Sequence, residues 1–152
     1  MTKEISFYQL TKSRLDAVLP KLLERVLSDG LRAVVLADSE ERVASLDALL
    51  WNYDQGSFMP HGTEADMADK DQPVFLTVNP QINPNGASIL IATDASFLCD
   101  YNGFDRIIEI FDGNNPAELS AAKACFNNLS NSGLSAIFWE QSANGSWRKI
   151  LG

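Results

Sequence analysis

Apolar residues recur along this chain with two different periods, and the alternation between them predicts its elements. "ISFYQL" alternates and predicts a strand from Ile5 to Leu10. "SRLDAVLPKLLERVLSDG" follows, with Leu15, Val18, Leu19, Leu22, Leu23 and Val26 at helical spacing and Gly30 as the C-terminal cap. Pro20 falls inside that pattern and removes a backbone donor, so the regular helix starts only a few residues earlier or bends. "LRAVVLA" is a short continuous β-branched run, the mark of a strand covered on both faces. "DSEERVASLDALLW" returns to the helical period. Ser39 is placed to cap it, its acids sit in the first turn, and Val43, Leu46, Leu49 and Leu50 line one side.

Further along, "PVFLTV", "SILIAT", "RIIEIF" and "SAIFWEQ" predict four more strands. The acidic stretch "TEADMADKDQ", residues 63–72, reads as a loop, and "NPQINPNGA" is dense in turn residues. "NNPAELSAAKACFNNLSNSG" is a helix defined by its ends: Asn115 caps, Pro116 takes the first helical position, Glu118 completes a capping box and Gly133 terminates. Its buried side is expected to be Leu119, Ala122, Phe126 and Leu129. "SANGSWRKI" turns at Asn144-Gly145 into a short returning segment. The β-α-β-α opening and the later strands predict a three-layer, Rossmann-like α/β domain with a mostly parallel central sheet, a single domain over residues 1–152.

Composition and charge narrow the chemistry. A chain of 152 residues can bury a core without metals or disulfides. Its net charge of −8 disfavours a broad surface that tracks nucleic-acid phosphates, so direct nucleic-acid binding is not expected. Cys99 and Cys125 have no metal or redox spacing and read as buried thiols in a reducing compartment. "MTKEISFYQL" does not read as a signal peptide, and no apolar run approaches the ~18 residues of a membrane span. The expected location is the cytoplasm, with no membrane association.

Catalytic patterns are sparse. The glycines satisfy neither the dinucleotide fingerprint nor the P-loop, and no serine lies in a nucleophile elbow. Asp38 and Asp94 follow two predicted parallel strands, where α/β folds place ligands. They support an alternative reading as a small Mg-dependent phosphatase or nucleotide-binding enzyme, against a plainer one in which both cap the following turns. His61, the single histidine, lacks an evident orienting partner or nucleophile.

The segment "LDALLWNYDQGSFMPHG", residues 46–62, carries a different signal. Trp51 falls just past the periodic face of its helix, and Phe58 lies beyond a glycine-containing loop. Apolar aromatics on a surface loop mark an interface, unless they fold back as a lid on the sheet. Both readings stand on the residues alone.

The order of several motifs resembles the chi subunit family of bacterial DNA polymerase III. The N-terminal "FYQL" strand, the helix, tryptophan and "SF-x-PHG" loop within residues 46–62, "QPVFLTVNPQINPNGASILI" and "FWEQSANGSWRKI" are similar to the family in sequence and spacing. The resemblance implies a non-catalytic α/β adaptor of the clamp-loader assembly, without a catalytic site, cofactor or metal. It implies a psi-binding surface at Trp51 and Phe58, with Pro60 and His61 shaping the loop. It also implies a second surface for the acidic C-terminal tail of single-stranded DNA-binding protein. There, Lys123 matches a basic position, Phe126 an aromatic one, and Phe111 the apolar strand end. Asn127 and Ser130 stand where family members often have basic residues, so Lys123 is an isolated charge, with Arg106, Arg148 and Lys149 as alternative contributors.

Overall fold

The computed structural model describes residues 4–12, 14–52, 61–63, 72–79, 82–93, 104–131, 135–142, 144 and 146–151. In chain order the elements are β1 (Glu4–Leu10), α1 (Leu15–Ser28), β2 (Ala33–Leu36), α2 (Glu40–Asn52), β3 (His61–Thr63) and β4 (Val74–Thr77). They continue with β5 (Ile89–Thr93), β6 (Arg106–Asp112), α3 (Pro116–Asn131), β7 (Ser135–Gln141) and β8 (Trp147–Leu151). The strands form one eight-stranded sheet in the order β3-β4-β2-β5-β6-β1-β7-β8. Every neighbouring pair is parallel except β7 and β8. Helices on both faces make this a three-layer α/β fold, as the alternating periods predict.

Each face of the sheet has its own core. Leu15, Leu19, Leu23 and Val26 of α1 and Val43, Leu46 and Leu50 of α2 pack with Ile89, Ile91, Ile108 and Ile110. On the opposite face, Ala122, Cys125, Phe126 and Leu129 of α3 pack with Phe7, Ile107, Phe111 and Phe138. The continuous apolar strands β2, β4 and β5 are buried at every residue, because both of their faces are covered.

The helix ends follow their local chemistry. Ser39 Oγ accepts the Arg42 amide at 3.1 Å at the start of α2. Asn115 Oδ1 accepts the Ala117 and Glu118 amides at 3.0 and 3.3 Å, while the Asn115 amide donates to the Asp112 carbonyl. At the end of α1, Gly30 takes φ +74°. That left-handed turn lets the Leu31 amide reach the Val26 carbonyl and the Gly30 amide the Leu27 carbonyl, a Schellman closure. Pro20 lies inside α1 and is buried. The helix begins only a few residues before it, so the proline withholds a bond from the Asp16 carbonyl in the first turn.

Two expectations are corrected. His61–Thr63, expected in the polar loop and its approach, forms the edge strand β3 paired with β4; three residues including a histidine and a glycine carry no readable period. Cys125 is disulfide-bonded and not a free thiol, because the spacing of cysteines along a chain does not report which of them meet in the fold. Cys99 lies outside the described residues. No described helix is long and apolar enough to cross a membrane.

Candidate protein-docking site

The end of α2 and strand β3 build one local unit. Val43, Leu46 and Leu50 turn toward the sheet, which places Asp47 and Trp51, one helical turn apart, together beside that buried stripe. β3 runs alongside β4 and brings His61 under this edge of the helix. The His61 side chain is fully buried, and its Nε2–H donates to Asp47 Oδ1 at 2.9 Å. The Trp51 indole rests on the imidazole with ring centroids 4.8 Å apart and planes tilted by 57°. Trp51 is nevertheless 54% exposed.

A ring nitrogen committed to a carboxylate orients the imidazole, and the buried imidazole supports one side of the indole. Trp51 keeps about half of its surface exposed, an arrangement suited to a large apolar anchor in a protein contact. Phe58 and Pro60, expected on the same surface, lie outside the described residues. Asp47 was not among the sequence-derived candidates. Its signal was the four-residue spacing to Trp51 on one helical side.

The second predicted group is divided by the fold. Lys123 and Asn127 are exposed, one turn apart on the outer side of α3. Phe111 and Phe126 are 1% and 7% exposed and belong to the core beneath the helix. Both meet Phe138 edge-on with centroids 5.7 Å apart, and Phe138 stacks on Phe7 at 5.8 Å. The two phenylalanines thus lie in the core beneath the outer side of α3, where Lys123 and Asn127 stand exposed. The parallel register explains this, because Phe7, Phe111 and Phe138 occupy neighbouring strands and point to the α3 face. Of the alternative cations, Arg148 is paired with Glu140 at 2.6 Å and Arg106 approaches Glu4 at 3.5 Å.

Only one member of the carboxylate pair of the alternative reading lies among the described residues. Asp38 is exposed in an open cleft with Ser39, Glu41, Arg42 and Glu118, and Asp94 lies outside the described residues. Described His, Cys, Asp and Glu side chains form no group of three or more suited to a metal ion.

Two comparisons with known proteins bear on the identity of the chain. A probable DNA polymerase III subunit chi from Rickettsia prowazekii (strain Madrid E) is 25% identical over 109 residues. That match covers 72% of this chain and 66% of the relative's own length, slightly under two thirds of it. The family model described as DNA polymerase III chi subunit, HolC, matches residues 1–136. The chain therefore belongs to the DNA polymerase III chi subunit family, whose members are accessory subunits of the replisome.

Proposed function

We propose that this protein is a non-catalytic adaptor that links the clamp-loader assembly to single-stranded DNA-binding protein. One surface, centred on Trp51 and supported by His61, receives psi or an equivalent clamp-loader subunit, with Phe58 and Pro60 contributing to the same patch. The other, on the outer side of α3 at Lys123 and Asn127 above Phe111 and Phe126, receives the acidic C-terminal tail. Neither surface requires a cofactor or metal, and the protein works in the cytoplasm without binding nucleic acid directly.

The observation that carries the proposal is the exposed indole held on a buried, hydrogen-bonded imidazole. Packing His61 under Trp51 gives the indole a defined orientation before a partner arrives, which lowers the ordering cost of binding. The tail surface has a simpler basis. A retained lysine on an otherwise acidic chain favours an anionic peptide, and its contribution is screened by salt.

Isothermal titration with the psi subunit, or its equivalent clamp-loader partner, tests the first surface. Trp51→Ala is expected to weaken binding tenfold or more while the thermal transition stays cooperative. Unchanged affinity in that variant rejects the Trp51 surface as the docking site.

A further inference from the structure

The helices cover the two faces of the sheet unequally at the β8 end. α3 packs on β6, β1 and β7, and there Phe7 and Phe138 are 0% exposed. On the other face, α1 packs on β6 and α2 on β3 and β4. Tyr8, Ile137, Trp139 and Trp147 point to that second face over β1, β7 and β8, and each remains half-buried. A sheet face in a three-layer fold is ordinarily closed by a helix, and among the described residues the layer stops at α1.

Between α1 and these strands lie two adjoining cavities of about 370 and 470 Å³, which share Tyr8, Leu22 and Arg25. Together they follow α1 from Ala17 to Val26, a run of about 14 Å at the helical rise, and continue past its end to Asp29 and Leu31. The floor is apolar, with Tyr8 stacked parallel to Trp139 at 6.3 Å and edge-on to Trp147 at 5.1 Å. The rim is cationic: Lys21 and Arg25 come from α1 and Arg106 from β6. Lys149 stands beside Trp139 on β8. The acidic groups facing the groove are Asp29 and, across from Arg106, Glu4. This concentration of cations sits on a chain of net charge −8.

We propose that this groove docks an amphipathic helix of a partner protein. The apolar stripe of that helix lies on Tyr8, Leu22, Trp139 and Trp147, and its acidic flanks face Lys21, Arg25 and Arg106. Length, an apolar floor and complementary charge are the requirements of helix-in-groove recognition. The incoming helix completes the layer that α1 and α2 begin. Single-stranded nucleic acid fits less well, because the chain as a whole carries a net charge of −8 and binding a phosphate backbone is dominated by cations. The groove lies on the opposite face from α3 and at the other end of the sheet from β3, so it is separate from both surfaces of the proposed adaptor function.

The probe is a designed amphipathic peptide of about 18 residues with a leucine stripe flanked by glutamate. The controls are its scrambled isomer and a lysine-flanked version. The chain has three tryptophans, so the indole N–H signals in a proton–nitrogen correlation spectrum report the location of binding directly. The glutamate-flanked peptide is expected to shift Trp139 and Trp147 saturably and leave Trp51 in place. The lysine-flanked peptide, and the exposed double charge reversal Lys21→Glu/Arg25→Glu, are expected to weaken binding at least tenfold; the spectrum itself reports that the variant is folded. No saturable shift at millimolar peptide, equal binding of the scrambled isomer, or a response confined to Trp51 overturns the proposal.

Discussion

His61 and Asp47 share a 2.9 Å hydrogen bond that ties the edge strand β3 to helix α2 across 14 residues of chain. The bond lies beneath Trp51, so the polar pair and the exposed indole form one mechanical unit. Removing the carboxylate deprives a buried ring N–H of this acceptor. Asp47→Ala is expected to cost roughly 1–3 kcal/mol in urea unfolding and to alter the Trp51 fluorescence. A variant with unchanged stability and emission removes the pair from the account.

Trp51→Ala takes away an indole that is 54% exposed. Its effect on stability is expected to stay within about 1 kcal/mol, since little area is uncovered in the core. The partner contact is expected to lose at least tenfold in affinity, or about 1.4 kcal/mol. Parallel denaturation and binding measurements separate the two effects.

Phe111→Ala and Lys123→Glu should behave in opposite ways. Phe111 is buried against Phe138, and its truncation is expected to destabilise the fold by about 3–5 kcal/mol. Lys123 is exposed, and its charge reversal is expected to leave the unfolding transition nearly unchanged while weakening an acidic-peptide contact. Equal stability losses in the two variants contradict the division of this group into floor and surface.

The Tyr8 phenol titrates above its ordinary value of 10.0, with burial the largest cause. Arg106 and Arg25 oppose that rise, and Glu4 adds to it. The folded protein therefore holds this proton more tightly than the unfolded chain. The resulting stability is fully present below the unfolded value and is lost as pH rises through the folded one. Urea midpoints measured from about pH 9 to about pH 11.5 are expected to fall more steeply for the native chain than for Tyr8→Phe.

Gly113 meets the end of β1 closely: its amide donates to the Leu10 carbonyl at 2.6 Å, and an added Cβ would lie 2.7 Å from that same oxygen. Gly113→Ala must displace backbone at the start of the α3 connection. A lowered melting temperature is expected, and an unchanged one refutes the close approach.

Much of the fold was readable because its elements are simple. The β-branched runs of β2 and β5, the Ser39 and Asn115 caps and the Gly30 closure each carry a local physical cause visible in the residue order. β3 was not readable, because its pairing to β4 is a tertiary event imposed on "HGT". The site was legible in part. Trp51 falls just past the periodic face of its helix, which left an exposed aromatic and a folded-back lid both open, and it is 54% exposed, whereas the Asp47–His61 bond depends on how β3 returns to α2. Phe126 falls on the side of α3 that its helical period already marked as buried, whereas the burial of Phe111 depends on the register that aligns β6 with β1.

The adaptor account depends on two separable surfaces, and gel-filtration co-elution of the chain with psi or its equivalent and single-stranded DNA-binding protein tests this most directly. The native chain is expected to co-elute with both partners in one complex. Trp51→Ala is expected to lose the clamp-loader partner and keep the tail-bearing one, and Lys123→Glu to do the reverse. Loss of both partners in either folded variant, or retention of both in each, contradicts the account.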